Sequence, residues 1–179
     1  LSNTEGFIRQ INLKKKKSEK LIIKISGNFN KLDESFFIFE SIEGDYDLSG
    51  KLKLSRTNHI FVDNFKINNN KNVDLVMSGD LSNRILNLII TGTVIDLSQN
   101  KVEVNNKKKE YYLDTENYSI LTDHVIFNGP VKVDNFKASI VKQKSKLSVQ
   151  SSASFKGHKL NYSREKDEKI DKNIIISDD

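Results

Sequence analysis

Three histidines, His59, His124 and His158, are the first residues to weigh as metal ligands or proton carriers. They lie far apart, and none has a second histidine or a cysteine at ligand spacing, so each reads as an ordinary strand or turn residue. Asp33/Glu34, Asp45/Asp47 and Asp178/Asp179 are close enough in sequence to serve as acid–base pairs. Each sits in a polar, turn-like setting where solvated charge is the default. Serines crowd the stretch Ser148–Ser154, yet no nucleophile-elbow glycine pattern surrounds them. Gly79 and Gly92 are isolated strand glycines that make no phosphate-cradling loop. The reading is of a chain that is not an enzyme, with no catalytic residue, no metal site and no cofactor.

Charge narrows the partners. The runs Lys14–Lys17 and Lys107–Lys109 have the chemistry to touch phosphates of lipid headgroups or nucleic acid, but both read more simply as solvated loops. The net charge of +5 is carried almost wholly by lysine, with arginine only at Arg9, Arg56, Arg84 and Arg164. The aromatic residues alternate with polar ones as inward-facing positions do, so nucleic acid is not an expected partner. Cysteine is absent, which removes disulfides and thiolate chemistry and leaves the redox compartment open.

The elements that would position any site are strands. The pentapeptide Val-Asp-Asn-Phe-Lys occurs at Val62–Lys66 and again at Val133–Lys137. Around both copies the apolar phase slips: Ile60 and Val62 give way to Phe65 and Ile67, Val131 and Val133 to Phe136, Ala138 and Ile140. Such a step is what a β-bulge or a tight Asp-Asn turn does to a strand, with Asp63 and Asp134 expected to bond local backbone. The recurrence points to repeated β units.

Leu21, Ile23 and Ile25 share a face, closed by Gly27 and Asn28, and Leu48, Gly50, Leu52 and Leu54 share another. Phe36–Ile42 is apolar on both faces, which predicts a strand covered on both sides or, alternatively, a short buried helix. Val73, Leu75 and Met77 alternate up to Gly79-Asp80, where the strand is expected to end. Leu86, Leu88, Ile90 and Val94 are expected on one face, with Ile89 and Ile95 opposite. Leu121, Val125 and Phe127 lead to the second pentapeptide strand, followed by Leu147, Val149, Ser151, Ala153 and Phe155, then Leu160 with Tyr162 and Ile174 with Ile176.

No segment shows capped 3.6-residue periodicity, so the expected fold is all-β: an elongated, curled, mainly antiparallel sheet, groove- or taco-like, with little helix. Its parts are a β-repeat segment over 1–97, a polar loop or insertion over 98–116, and a second β-repeat segment over 117–179 continuing the same sheet. Roughly a dozen strands about 4.8 Å apart span on the order of 55 Å. A mean hydropathy of -0.52 and 36% hydrophobic residues are lean for a compact core of 179 residues, and suit a thin extended sheet.

Such a sheet with one apolar face, if not filled by its own side chains, is a groove for something elongated and apolar. At roughly 0.8 kcal/mol per CH₂, sheltering a sixteen-carbon acyl chain is worth about 12 kcal/mol. The expected lining residues are Leu48, Leu52, Leu54, Leu86, Leu88, Ile90, Leu147, Val149 and Phe155. The competing reading is a structural or adhesive β-repeat with a packed core, whose surface binds protein or glycan.

Two stretches resemble a known family. Ser78-Gly79-Asp80-Leu81-Ser82-Asn83-Arg84-Ile85-Leu86-Asn87-Leu88, followed by Ile90-Thr91-Gly92-Thr93-Val94-Ile95-Asp96-Leu97-Ser98, is similar to the Gly-x-Leu, apolar strand, Gly-x-x-(Ile/Leu)-Asp-Leu-Ser pattern of bacterial AsmA-like proteins of the YhdP and TamB type. The part from Leu121 to Ile174-Ile175-Ile176-Ser177-Asp178-Asp179 looks like the segment preceding the C-terminal module of YhdP-like members. The polar stretch 98–116 departs from that pattern.

The resemblance implies an internal fragment of a bridge-like lipid transfer protein of a Gram-negative cell envelope. Such a protein is anchored in the inner membrane, crosses the periplasm and moves phospholipid toward the outer membrane. Its partners would be phospholipid acyl chains, membranes reached through regions outside this fragment, and other envelope proteins. The chain starts at Leu1 without a signal segment and has no membrane-spanning apolar run, which fits an anchor lying elsewhere.

Overall fold

The computed structural model describes residues 6–8, 13–15, 21–28, 34–44, 46–55, 57, 59–69, 73–98, 113–127, 129 and 131–178. Among these there are thirteen strands and no helix. β1 (Gly6–Ile8) and β2 (Leu13–Lys15) form a separate two-stranded sheet, so the first two lysines of the Lys14–Lys17 run lie in a strand instead of the expected turn. The rest form one eleven-stranded sheet in chain order: β3 (Leu21–Asn28), β4 (Ser35–Gly44), β5 (Asp47–Leu54), β6 (Ile60–Asn69), β7 (Val73–Ser82), β8 (Ile85–Asp96), β9 (Thr115–Phe127), β10 (Val131–Gln143), β11 (Lys146–Phe155), β12 (His158–Lys166) and β13 (Asp171–Ser177). The sheet is elongated, curled and not closed into a barrel, as the alternation predicts.

One junction departs from a meander. β8 and β9 pair in parallel, from Ile85 opposite Thr115 to Asp96 opposite Ile126. A parallel neighbour requires the chain to return the length of a strand before entering it. The return is made by the polar stretch, whose ends are fixed: Leu97 N–H donates to Ile126 C=O at 2.7 Å and Asp114 N–H to Arg84 C=O at 2.8 Å. β9 begins at Thr115, inside the expected loop, and residues 99–112 with Lys107–Lys109 lie outside the described residues, as do Asp33, Asp45 and Asp179.

Both pentapeptides carry the expected bulge. Asn64 and Asn135 have φ of 48° and 52°, and the ladders shift there between Val62 and Phe65 of β6 and between Asp134 and Lys137 of β10. Asn accepts this left-handed backbone because its short polar side chain tolerates it. At the level of Asn135 the same step runs through two neighbours, since Thr93 of β8 and Asp123 of β9 are also skipped in the pairing. This corrects two face assignments. Ile95, not Val94, joins Ile90 on the inner face, and Leu121 turns outward, 49% exposed, while Val125 is buried.

Two other expectations are revised. Gly79-Asp80 lies within β7; the turn comes at Asn83-Arg84, with φ of 47° and 63°, the geometry of a two-residue hairpin. β4 is covered on one side only, since Ile38 and Ile42 are exposed on the other and Phe36 is capped there by the Lys51 ammonium at 4.9 Å. Gly50 serves packing: a Cβ there would stand 2.5 Å from the Phe65 ring, which lies over the glycine and meets Phe39 at a 6.0 Å centroid distance. The core is the cluster Leu48, Ile67, Leu75, Met77 and Ile90 on the inner face of β5–β8.

Candidate apolar groove

Side-chain size along a single row of the sheet decides where the inner face is filled and where it is hollow. The row runs across eight strands through paired residues: Phe65, Met77, Ile90, Ile120, Ala138, Ser151, Tyr162 and Ile175. Its first four members are large and pack into the core or against it. Ala138 and Ser151 are small, and so is Ala153 beside them on β11, so the sheet cannot fill its own curl there. Tyr162 and Ile175 then close the far side.

The result is a groove of about 530 Å³ over β7–β13. Its lining is hydrocarbon except at Ser151, Asn161 and the Tyr162 hydroxyl, and that hydroxyl donates to Asn173 Oδ1 at 2.9 Å. The volume falls in the range of about 300–1,000 Å³ usual for ligand clefts. Phe127, Val133 and Phe136 wall one end.

Charged side chains edge the other end. In the row Glu116–Lys142–Leu147–Lys166–Asp171, Lys142 bonds Glu116, and Arg164 grips Asp171 through Nε at 3.0 Å and Nη2 at 2.8 Å. Lys166 adds a 3.5 Å contact to Asp171. The hydrogen bonds from Arg164 hold the Asp171 carboxyl below the ordinary carboxylate range. Tyr118 donates to Glu116 Oε2 at 2.6 Å, and burial first, then that bond and the Glu116 charge, raise its hydroxyl well above the tyrosine range.

The structure divides the nine expected lining residues. Ile90 and Val149 line the groove. Leu48 is core and Leu88 packs against it, in the filled half of the face. Leu52, Leu54, Leu86, Leu147 and Phe155 are half-buried on the same face but outside this hollow. Large leucines mark the apolar phase in the sequence, whereas the open space comes from Ala138, Ser151 and Ala153. The signal in the sequence is two small residues, Ser151 and Ala153, at the inward phase of β11, whose other members are Leu147, Val149 and Phe155.

The three histidines lie away from the groove. His59 Nε2 meets Asp80 Oδ2 at 3.1 Å and His124 Nδ1 meets Asp134 Oδ1 at 2.7 Å, both on the outer face, and His158 Nδ1 faces the Asp178 carbonyl at 3.3 Å. The described contacts of Asp63 and Asp134 are to side chains, Asn64 and Lys53 for the first and His124 and Lys132 for the second, in place of the expected backbone bonds. Among the described residues no group of three or more His, Asp or Glu is placed to hold a metal ion. A second, more open hollow of about 670 Å³ on the outer face is floored by Ser119, Ser139, Gln150 and Ser163.

Compared with family models, with curated proteins and with solved structures, the chain has no match.

Proposed function

We propose that this chain is a non-enzymatic segment that shelters and conducts lipid acyl chains along the inner face of its sheet. The observation that carries the reading is the unfilled hydrocarbon groove over Ala138, Ser151 and Ala153. Hydrocarbon removed from water gains about 0.8 kcal/mol per CH₂ there, close to what a bilayer offers, so a chain can enter and leave. The charged edge from Glu116 to Asp171 keeps one border wet, which suits a headgroup remaining in solvent. In line with the resemblance to AsmA-like proteins, the lipid would be phospholipid. The setting would be the Gram-negative periplasm, with the inner-membrane anchor and any envelope partners supplied outside these 179 residues.

The packed cluster Leu48, Ile67, Leu75, Met77 and Ile90 favours a second reading for the other half of the face, a structural β-repeat with a filled core. Photocrosslinking separates the two. A photoreactive residue is placed at Val149 or Ile140, inside the groove, and at Ser148 or Gln150, on the opposite face, in the full-length protein in cells. Lipid adducts confined to the first pair are expected; no adducts, or equal labelling of both pairs, would leave the structural repeat.

A further inference from the structure

The outer face of β9–β12 differs from the rest of that face in how its polar side chains are satisfied. Along the strands to one side, Asn87 donates to Asp80 at 3.3 Å and Asn117 to Asn87 at 2.8 Å. To the other, Thr93 donates to Asp74 at 2.6 Å and His124 meets Asp134 at 2.7 Å. Between them the register sets two rows across four strands, Ser119–Ser139–Gln150–Ser163 and Leu121–Lys137–Ser152–Asn161. The side chains of Ser119, Ser139, Ser152, Ser163, Gln150 and Asn161 have no hydrogen-bond partner among the described residues. Together they line the outer hollow of about 670 Å³.

Unpaired hydroxyls and amides over a hollow, with no carboxylate in either row, define what fits. An acyl chain would strip water from those groups and return no bond. Nucleic acid would find one cation, Lys137. Protein interfaces centre on aromatic, methionine or arginine anchors and are poor in serine, whereas four of these eight residues are serine. A saccharide supplies the missing partners, because each of its hydroxyls both donates and accepts, as the serines, Gln150 and Asn161 do. Three strand spacings make each row about 14 Å long, so an extended chain of sugar rings meets all four strands.

We propose that the outer hollow binds a neutral glycan chain laid across β9–β12, held by these six side chains, with Leu121 against the carbon face of a ring. The groove opens on the opposite face of the same strands, so both can be filled at once, and the glycan site does not rest on the lipid reading. With no aromatic ring in either row to stack on, the Kd should be about 1 mM.

The test is nuclear magnetic resonance of the isotope-labelled 179-residue chain. It is titrated to about 10 mM with hexasaccharides of β-1,4-linked N-acetylglucosamine and of α-1,4-linked glucose. Saturable shifts are expected with at least one of them, at the Gln150 and Asn161 side-chain amides and the outer-face residues around them. Ser139→Val and Gln150→Leu remove bonding groups from exposed strand positions and should each weaken binding about tenfold. Ser148→Val, one row away on the same face, should leave it unchanged. No shifts with either sugar, shifts at Ile140 and Val149 on the inner face, or variants that bind like wild type would overturn the proposal. So would shifts of the same resonances with protein concentration alone, which would assign the hollow to a second copy of the chain.

Discussion

Asn64 and Asn135 hold the same left-handed backbone, φ 48° and 52°, at the third position of the same pentapeptide in β6 and β10. At each the inner face passes from a valine to a phenylalanine, Val62 to Phe65 and Val133 to Phe136, with two residues between. Without the extra residue every later side chain of the strand would turn to the wrong face. Phe65 would leave Gly50, and Ala138 would leave the groove floor.

Replacing either asparagine with alanine therefore tests conformation, since both side chains are exposed. Asn64→Ala and Asn135→Ala should each lower stability by about 1 kcal/mol, while the glycine variants should stay within a few tenths of wild type. Urea unfolding followed by circular dichroism measures this. Alanine variants as stable as the glycine ones would show that the positive φ costs nothing.

Charge placed on the inner face should have opposite consequences at two positions of the same apolar alternation. Leu88 packs against the Leu48–Ile67–Leu75 cluster and lies between Gly79 and Tyr118, so Leu88→Asp buries an unpaired carboxylate and should cost about 3 kcal/mol or more. Val149 lines the open groove directly opposite Arg164, so Val149→Asp gains a cation across the ladder and should cost about 1 kcal/mol. Val149→Asp should keep its β signal and lose acyl crosslinking to a probe at Ile140. Unfolding of Val149→Asp to the same degree as Leu88→Asp would mean the groove is a packed core.

Alternation alone was enough to assign β5, because Leu48, Leu52 and Leu54 keep one phase from end to end. The pentapeptide slips were legible for a different reason, that the same residues recur at both. The slips at Thr93 and Asp123 carry no such mark: they follow from Asn135, because neighbouring strands held in register must step together. The parallel pairing of β8 and β9 was hidden because strand direction is set by the return path between them, whose sequence is mostly polar and shows no strand-like alternation beyond Val102 and Val104. Where the face is hollow depends on which residues share a row, and alternation within one strand does not show that. Ala138 and Ser151 become neighbours only through the β10–β11 register, and Ser151 and Tyr162 only through β11–β12.

The charged edge of the groove predicts an acid dependence. Hydrogen bonds from Arg164 lower the pKa of Asp171 in the folded chain, with the Arg164 and Lys166 charges acting in the same direction. A carboxyl with a depressed folded pKa contributes stability that is present above its unfolded value, about 3.9, and is lost as pH falls through the folded one. Asp167 acts alike, through the backbone N–H groups of Lys169 and Ile170. Asp171→Asn should therefore lower the urea midpoint near neutral pH, and the gap from wild type should shrink steadily below about pH 4. Because the pair is exposed, added salt should shrink the same gap at neutral pH. A gap that stays constant from neutral pH into acid would show that the substitution acts on packing and that the Arg164–Asp171 bond adds no pH-dependent stability.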